Sequence, residues 1–183
     1  MYINRTNMCG RTWIYSIITF LYFVLSSSGA PIKDQDIRFL LGNHRVEGVP
    51  LTWRVWIYSQ NSRLHLRVAG SQIDFNGRKT DSSTVMVLES VNIKGHISIK
   101  SEQENSYICV NAKNGNLVLE SKGSQLKRCL FVEDFYLGYT VFKSVYNNKW
   151  FIGSKRSGHR KQPSTTGATQ KAVRFLVEQL PQS

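Results

Sequence analysis

The 183-residue chain is poor in the residues from which stapled, metal-binding or catalytic sites are built. It has three cysteines, four histidines and four prolines, and Cys9 lies near the N-terminus, ahead of an apolar run. The two remaining cysteines are too few for a disulfide-rich scaffold. The histidines are spread along the chain without paired carboxylates or a nearby cysteine, so no metal set or nucleophile dyad can be assembled. We therefore expect no metal, no cofactor and no enzyme activity.

Acidic residues are also scarce. The chain has 12 of them against 24 lysines and arginines, which gives a formal net charge of +12. An excess of this size favours a polyanionic partner. Counterion release acts in the same way for nucleic acid and for sulfated glycans, so charge alone does not distinguish the two.

No apolar run reaches the roughly 20 residues that a transmembrane helix needs. The run from Trp13 to Leu25 follows a basic segment and precedes small residues, which is typical of a signal peptide. We place the signal peptide at residues 1–29, with cleavage after Gly29 or nearby. The prediction is a secreted, extracellular protein that does not insert into a membrane after cleavage. This location favours a sulfated glycan over nucleic acid as the partner.

Apolar clusters recur along the chain at nearly constant spacing. Three clusters begin 43 residues apart, at Leu64, Tyr107 and Trp150, and three more begin 44 apart, at Val87, Phe131 and Phe175. Such spacing indicates one supersecondary unit that is copied three times. Ten short runs rich in β-branched and aromatic residues lie between residues 53 and 180, and they predict strands.

Three repeats of about four strands favour an all-β fold, a β-trefoil of three four-stranded repeats, at residues 51–181. A propeller needs at least four blades, and a two-sheet sandwich has no reason to repeat threefold. Asn76-Gly77 and Asn114-Gly115 predict tight turns. Residues 30–50 fall outside the repeat and are predicted to form a flexible arm.

Basic residues are concentrated in the segment 155–171, which reads KRSGHRKQPSTTGATQK and contains no acid. A segment so rich in Gly, Ser and Thr is expected to be exposed, and its cations suit sulfate or phosphate oxygens. The first two repeats have no basic counterpart. We therefore predict an anion-binding site here, to which His159 would add charge at acidic pH. The alternative is a solvated loop without a partner.

Several segments resemble the fibroblast growth factors, over about 70% of the chain. They are IYSQNSRLHLRV from Ile57, GHISIKS from Gly95, YICVNAKNGNL from Tyr107, CLFVE from Cys129, and KWFIGSKRSG through GATQKAVRFL from Lys149. The last is the most specific, because its interval has the length as well as the residues of the family. The chain departs from the family pattern at Leu119 and Arg128, and the interval from Glu133 to Tyr139 is one residue short.

The resemblance implies a growth factor that binds heparan sulfate and dimerises a fibroblast growth factor receptor tyrosine kinase, and so stimulates proliferation, migration or differentiation. It implies receptor contacts at Tyr58, Glu133, Tyr139 and Leu176. It implies heparin-binding residues at Asn61, Lys155, Arg156, Lys161, Gln170 and Lys171. Arg160 is added to this set, because it can replace a positive charge that the family often has at Thr165.

Other roles for these residues remain open from sequence. Tyr58, Tyr139 and above all Leu176, which lies in a repeated cluster, could be ordinary core packing. Glu133 could be structural, because the sequence pattern aligns it with Glu89 in the first repeat.

The state of the two cysteines and the function of the chain also have alternatives. Cys109 and Cys129 could be buried thiols, or could form one bridge worth about 3 kcal/mol. Some subgroups of the family pair these cysteines, which favours the bridge. The alternative function is that of another secreted β-trefoil ligand, such as an interleukin-1-like cytokine, a lectin or a protease inhibitor.

Overall fold

The computed structural model describes residues 51–91, 95–123 and 126–181. The predicted signal peptide at residues 1–29 and the predicted arm at residues 30–50 lie outside these ranges. Within them, no helix has the length and apolar character that crossing a membrane requires.

Twelve strands and four short 3₁₀ helices make up the described residues. The strands are β1 (Thr52–Ser59), β2 (His65–Ala69), β3 (Gln72–Gly77), β4 (Met86–Ser90), β5 (His96–Ser101), β6 (Ser106–Val110), β7 (Leu117–Glu120), β8 (Leu130–Tyr136), β9 (Tyr139–Ser144), β10 (Gly153–Ser154), β11 (Arg160–Lys161) and β12 (Phe175–Gln179). The 3₁₀ helices are Ser82–Thr84, Lys127–Cys129, Pro163–Thr165 and Lys171–Val173.

Six strands close into a barrel. In antiparallel pairs, β1 joins β12, β12 joins β9, β9 joins β8, β8 joins β5, β5 joins β4, and β4 returns to β1. The other six form the hairpins β2–β3, β6–β7 and β10–β11. Each set of four consecutive strands thus gives two barrel strands and one hairpin. The predicted all-β fold, a β-trefoil of three four-stranded repeats, is confirmed.

The core repeats threefold in its side chains as well as in its strands. Met86, Phe131 and Phe175 are fully buried. They occupy equivalent places, because each pairs with a buried serine on the neighbouring barrel strand. These partners are Ser101, Ser144 and Ser59, respectively. Phe175 also stacks on Phe75, with the ring centroids 5.5 Å apart. Each repeat therefore contributes a large apolar side chain to the same layer of the core.

The same three buried serines also stabilise the turns that follow their strands. Each hydroxyl lies at the end of its strand and accepts hydrogen bonds from backbone N–H groups of the turn that follows. The donors are Asn61 and Ser62 for Ser59, Glu104 for Ser101, and Tyr146 and Asn147 for Ser144. Such hydroxyl-closed turns satisfy backbone groups locally, so a polar residue is tolerated at the barrel rim.

The repeat predicted from sequence is right in kind and wrong by one residue in register at two places. Strand pairing aligns Met86, rather than Val87, with Phe131 and Phe175. Strand pairing also places Ser106, rather than Tyr107, beside Ser101 at the rim of the barrel. Leu64 lies beside Ser59 in the same way. Connecting segments of unequal length in the three repeats cause these shifts, and neighbouring apolar residues conceal them in the sequence.

Two strands and one turn differ from the sequence prediction. Strands β3 and β11 are missing from it, because QIDFNG is rich in turn-forming residues and β11 has only two residues. The turn predicted at Asn76-Gly77 is wrong, since these residues end β3. The turn at Asn114-Gly115 is confirmed, and Gly115 has the positive φ of 65° that favours glycine there.

A disulfide joins the second hairpin to the segment that leads into β8. Cys109 lies in β6 and Cys129 ends the 3₁₀ helix Lys127–Cys129. Both are fully buried, and their Cα atoms are 4.0 Å apart. The bridge closes a loop with a sequence separation of 20 residues, which restricts the unfolded chain.

Replacing Cys109 and Cys129 together by alanine should lower the free energy of unfolding by about 3 kcal/mol, the chain-entropy value for a loop of this length. Denaturation in guanidinium measures the change. Added reductant should destabilise the natural chain and leave the double variant unaffected. Equal stability of the two chains with and without reductant would contradict the role given to the bridge.

Candidate functional site

The third hairpin carries the front half of the basic segment. Its strands β10 and β11 pair Gly153 with Lys161 and Ser154 with Arg160. The backbone N–H of Lys155 donates to the carbonyl oxygen of His159, with 2.7 Å from N to O. Residues 154–160 thus form a hairpin closed by these backbone pairs, and their charged side chains project from a defined backbone.

The tip of this hairpin is fixed against β3. The backbone N–H of Phe75 donates to the carbonyl oxygen of Gly158 at 2.6 Å, and Asp74 forms a β-bridge with His159. Gly158 has a φ of 79°, and a Cβ on it would lie 1.6 Å from Oδ1 of Asn76. Only glycine fits this contact, so the close approach of the hairpin to β3 depends on it.

The second half of the basic segment is better anchored than its composition predicts. Pro163 is buried, and the Thr166 hydroxyl accepts a hydrogen bond from the backbone N–H of Phe151 at 2.9 Å. The side-chain amide of Gln162 donates to the carbonyl oxygen of Asn114. Most of the segment is exposed, as expected, and only Gly158 and Pro163 are buried. An anchored loop loses less conformational entropy when it binds a ligand than a free loop does.

A shallow depression of about 630 Å³ lies beside the hairpin. It gathers five of the seven residues predicted to bind heparin, which are Asn61, Lys155, Arg156, Arg160 and Lys161. Gln170 is joined to this group, because Nζ of Lys161 donates to its Oε1 at 2.7 Å. Lys171 is exposed and immediately precedes Ala172, another lining residue. Residues from the first and third repeats thus meet at one surface.

The depression is electrostatically one-sided. None of the described residues that line it is acidic. The Asn61 side chain is held in place, because its Nδ2 donates to the carbonyl oxygen of Ser154 at 2.8 Å. Sequence reasoning missed Asn116, Ser154 and Ala172 in the lining. Asn116 belongs to the second repeat, so no local signal could have placed it here.

Three of the residues predicted to bind a receptor converge on the barrel wall. Tyr58 and Leu176 are directly paired across β1 and β12. Nε2 of Gln60 donates to the Tyr139 hydroxyl at 2.8 Å, which links β9 to the same face. Leu176 is 42% exposed, whereas its neighbour Phe175 fills the core. The alternative that Leu176 is core packing is therefore wrong.

The β8–β9 hairpin adds exposed apolar side chains that the sequence did not reveal. Phe135 is 73% exposed and Leu137 is 69% exposed. Both lie next to the turn at which Tyr136 pairs with Tyr139. Phe135 belongs to a run that predicts a strand, but a strand pattern does not show which side chains meet solvent. Leu137 lies in the turn itself, where its φ is 51°.

Glu133 occupies a place that is apolar in the other repeats. It pairs with Phe142 across β8 and β9, just as Leu88 pairs with Ile99 and Val177 pairs with Ile57. Burial raises the pKa of its carboxyl group. An ionisable group at an apolar position carries a stability cost that packing alone does not explain.

The predicted equivalence of Glu89 and Glu133 is therefore wrong, because Leu88 holds the equivalent place. The Glu89 carboxylate is 9% exposed and accepts hydrogen bonds from the Ser98 hydroxyl at 3.3 Å and from the Tyr107 hydroxyl at 3.0 Å. These bonds give Glu89 a structural role. Elsewhere in the described ranges, no three His, Cys, Asp or Glu side chains come together as a metal site would require.

The comparisons with known proteins agree on one protein family. The fibroblast growth factor family model matches residues 54–176. Fibroblast growth factor 17 of Homo sapiens is 27% identical over 121 residues, which cover 66% of this chain and 55% of the relative. Fibroblast growth factor 2 of Xenopus laevis is 30% identical over 122 residues, with 66% and 76% covered. The chain thus spans little more than half the length of the first of these relatives.

Glu133 and Glu102 should give stability opposite dependences on pH. Burial raises the pKa of Glu133, so its contribution is complete below its ordinary value of 4.5 and is lost as pH rises through the raised pKa. Hydrogen bonds from Arg54 lower the pKa of Glu102, so its contribution is present above 4.5 and is lost as pH falls through the lowered pKa.

The two matched variants Glu133→Gln and Glu102→Gln test this difference. At neutral pH, Glu133→Gln should raise the free energy of unfolding and Glu102→Gln should lower it. The Glu133 difference should shrink as pH falls through the raised pKa of Glu133, and the Glu102 difference should shrink at lower pH, as pH falls through the lowered pKa of Glu102. Urea denaturation across this pH range measures both. Changes of the same sign in the two variants would be inconsistent with the environments described here.

Proposed function

The chain belongs to the fibroblast growth factor family, and we propose that it is a secreted growth factor that binds heparan sulfate and dimerises a fibroblast growth factor receptor tyrosine kinase. The observation that carries this proposal is the depression beside the β10–β11 hairpin. Five residues, selected by family resemblance and by charge, meet there without an acidic neighbour in the lining.

Sulfate groups suit this depression for chemical reasons. Arg156 and Arg160 offer planar donors that can bind two oxygens at once, and Lys155 and Lys161 add compact charges. The fixed Asn61 amide supplies polarity without charge. Each cation that contacts a sulfate releases condensed counterions from the polyanion, so affinity should fall steeply with salt.

The barrel wall around Leu176 suits a protein partner. Tyr58 and Leu176 lie side by side, Tyr139 is oriented by Gln60, and Leu176 is exposed in spite of its apolar character. Exposed aromatic and aliphatic side chains of this kind form the anchors of protein interfaces. Glu133, whose charge is disfavoured by burial, would gain if a cation of the partner approached it.

The two surfaces support a mechanism in which the glycan and the receptor hold the factor together. Binding at one surface raises the effective concentration at the other without any new contact. The signal-peptide pattern at residues 1–29 fits release to the cell exterior, where both partners are found. The cytokine, lectin and inhibitor alternatives have no comparable support, since the family match spans the barrel and all three hairpins.

Reversing two charges in the depression should reveal specific glycan binding. Lys155→Glu with Arg156→Glu should weaken heparin binding by about tenfold or more at physiological salt, because two direct contacts become repulsive. Elution from heparin resin and from a sulfonate cation exchanger measures the effect. The matched control reverses Lys122 and Lys127, which are exposed on another part of the barrel. An equal shift for both variants on heparin resin would reduce the proposal to nonspecific charge.

Leu176→Ala should weaken receptor activation, because the loss of a central interface anchor costs more than about 1 kcal/mol. The half-maximal dose for receptor phosphotyrosine, in cells that carry a fibroblast growth factor receptor and are supplied with heparin, should rise by about tenfold. Leu126→Ala is the matched control, since Leu126 has a similar exposure of 38%. If the natural chain stimulates no receptor, or if both variants behave alike, the receptor proposal fails.

A further inference from the structure

A second depression adjoins the β10–β11 hairpin where the hairpin meets β3. Its volume is about 670 Å³, and β2, β3 and the hairpin form its walls. The residues that carry the argument are Arg67, Gln72, Asp74, Asn76, His159 and Arg160. Arg160 lines both depressions. The two are therefore neighbours that share one guanidinium.

The charge of the second depression is set by an internal ion pair. Arg67 donates from Nε and from a terminal nitrogen to the two carboxylate oxygens of Asp74, at 3.1 and 2.7 Å. The backbone N–H of Asn76 also donates to Asp74, at 2.9 Å. Asp74 is thus paired and its oxygens are occupied, which leaves Arg160 as the cation of this lining without an acidic partner in it.

The remaining groups suit a sugar more than a bare ion. Arg67 keeps unused N–H donors besides those that bind Asp74, and Gln72 and Asn76 present neutral amides. A hydroxylated ring that carries an anionic substituent can use both kinds of group. The docking of Gly158 on β3 holds the hairpin, so His159 and Arg160 are presented from a fixed backbone.

We propose that one sulfated glycan chain crosses the β10–β11 hairpin at Arg160 and places a further anionic sugar unit in this second depression. The inference rests on the glycan binding proposed above, because it extends that site across the hairpin. It assigns to Arg67 and Gln72 a binding role that charge counting along the segment 155–171 does not reveal, and it places His159 of that segment beside them. A glycan long enough to occupy both depressions should bind more tightly than one that fills the first alone.

Calorimetric titration with a heparin tetrasaccharide and a heparin dodecasaccharide tests this extension. Gln72→Glu adds one negative charge to the second depression with almost no change of shape, and Gln72 is exposed at the start of β3. We expect the dodecasaccharide to bind this variant about three- to tenfold more weakly, and the tetrasaccharide to bind nearly as it does to the natural chain. Screening at physiological salt limits the reach of the new charge to about 8 Å.

Gln179→Glu is the matched control, because it makes the same charge change at the exposed far end of β12. A longer glycan also has more ways to bind, so the comparison depends on the ratio of the two affinities in each variant. If Gln72→Glu changes that ratio no more than Gln179→Glu does, the second depression is not part of the site. If the tetrasaccharide itself fails to bind the natural chain, the proposed function fails and this extension fails with it.

Discussion

The pairing of the first barrel strand with the last is the constraint on which the rest of the structure depends. Strands β1 and β12 are separated by more than a hundred residues and pair over five positions, from Val55 with Gln179 to Ser59 with Phe175. This pairing closes the barrel and removes its edges, which would otherwise remain open to other chains. The same pairing sets Tyr58 against Leu176 and places the Asn61 turn beside the third hairpin. One long-range contact therefore builds the scaffold and both candidate surfaces.

The candidate functions lie where the threefold symmetry is broken. The three buried serines and the large apolar residues opposite them repeat in every unit, and they serve the barrel. By contrast, the β10–β11 hairpin carries cations and meets β3 through Gly158, a contact that requires a residue without a side chain. Glu133 breaks the symmetry in the same sense, because Leu88 and Val177 hold the equivalent places. Symmetry-breaking residues have no role in the shared packing, so they are free to serve recognition.

Much of the fold and of the candidate site could be predicted from sequence, and the failures have physical causes. Repeat length and strand composition suffice for the trefoil, because each unit must bury its own apolar face. The exact register of the repeats could not be read from the sequence, since adjacent apolar residues hide a register shift of one residue. Strand β3 was missed because Asp74, Asn76 and Gly77 are turn-forming residues, and only their contacts with Arg67 and with the hairpin hold them in a strand. The exposure of Phe135 and Leu137 was not predicted, because the composition of this segment does not show which of its side chains meet solvent.

The sequence by itself determined the class of fold, the cysteines available for a bridge and the segment where positive charge accumulates, because these follow from local composition and spacing. Only the tertiary structure decided which of those charges share a surface. Asn61, Asn116 and Arg160 come from three different repeats, and strand pairing alone brings them to one depression. It also decided that Leu176 faces outward while Phe175 faces inward. Neighbours in a strand point to opposite sides, and the closure of the barrel determines which side is the core.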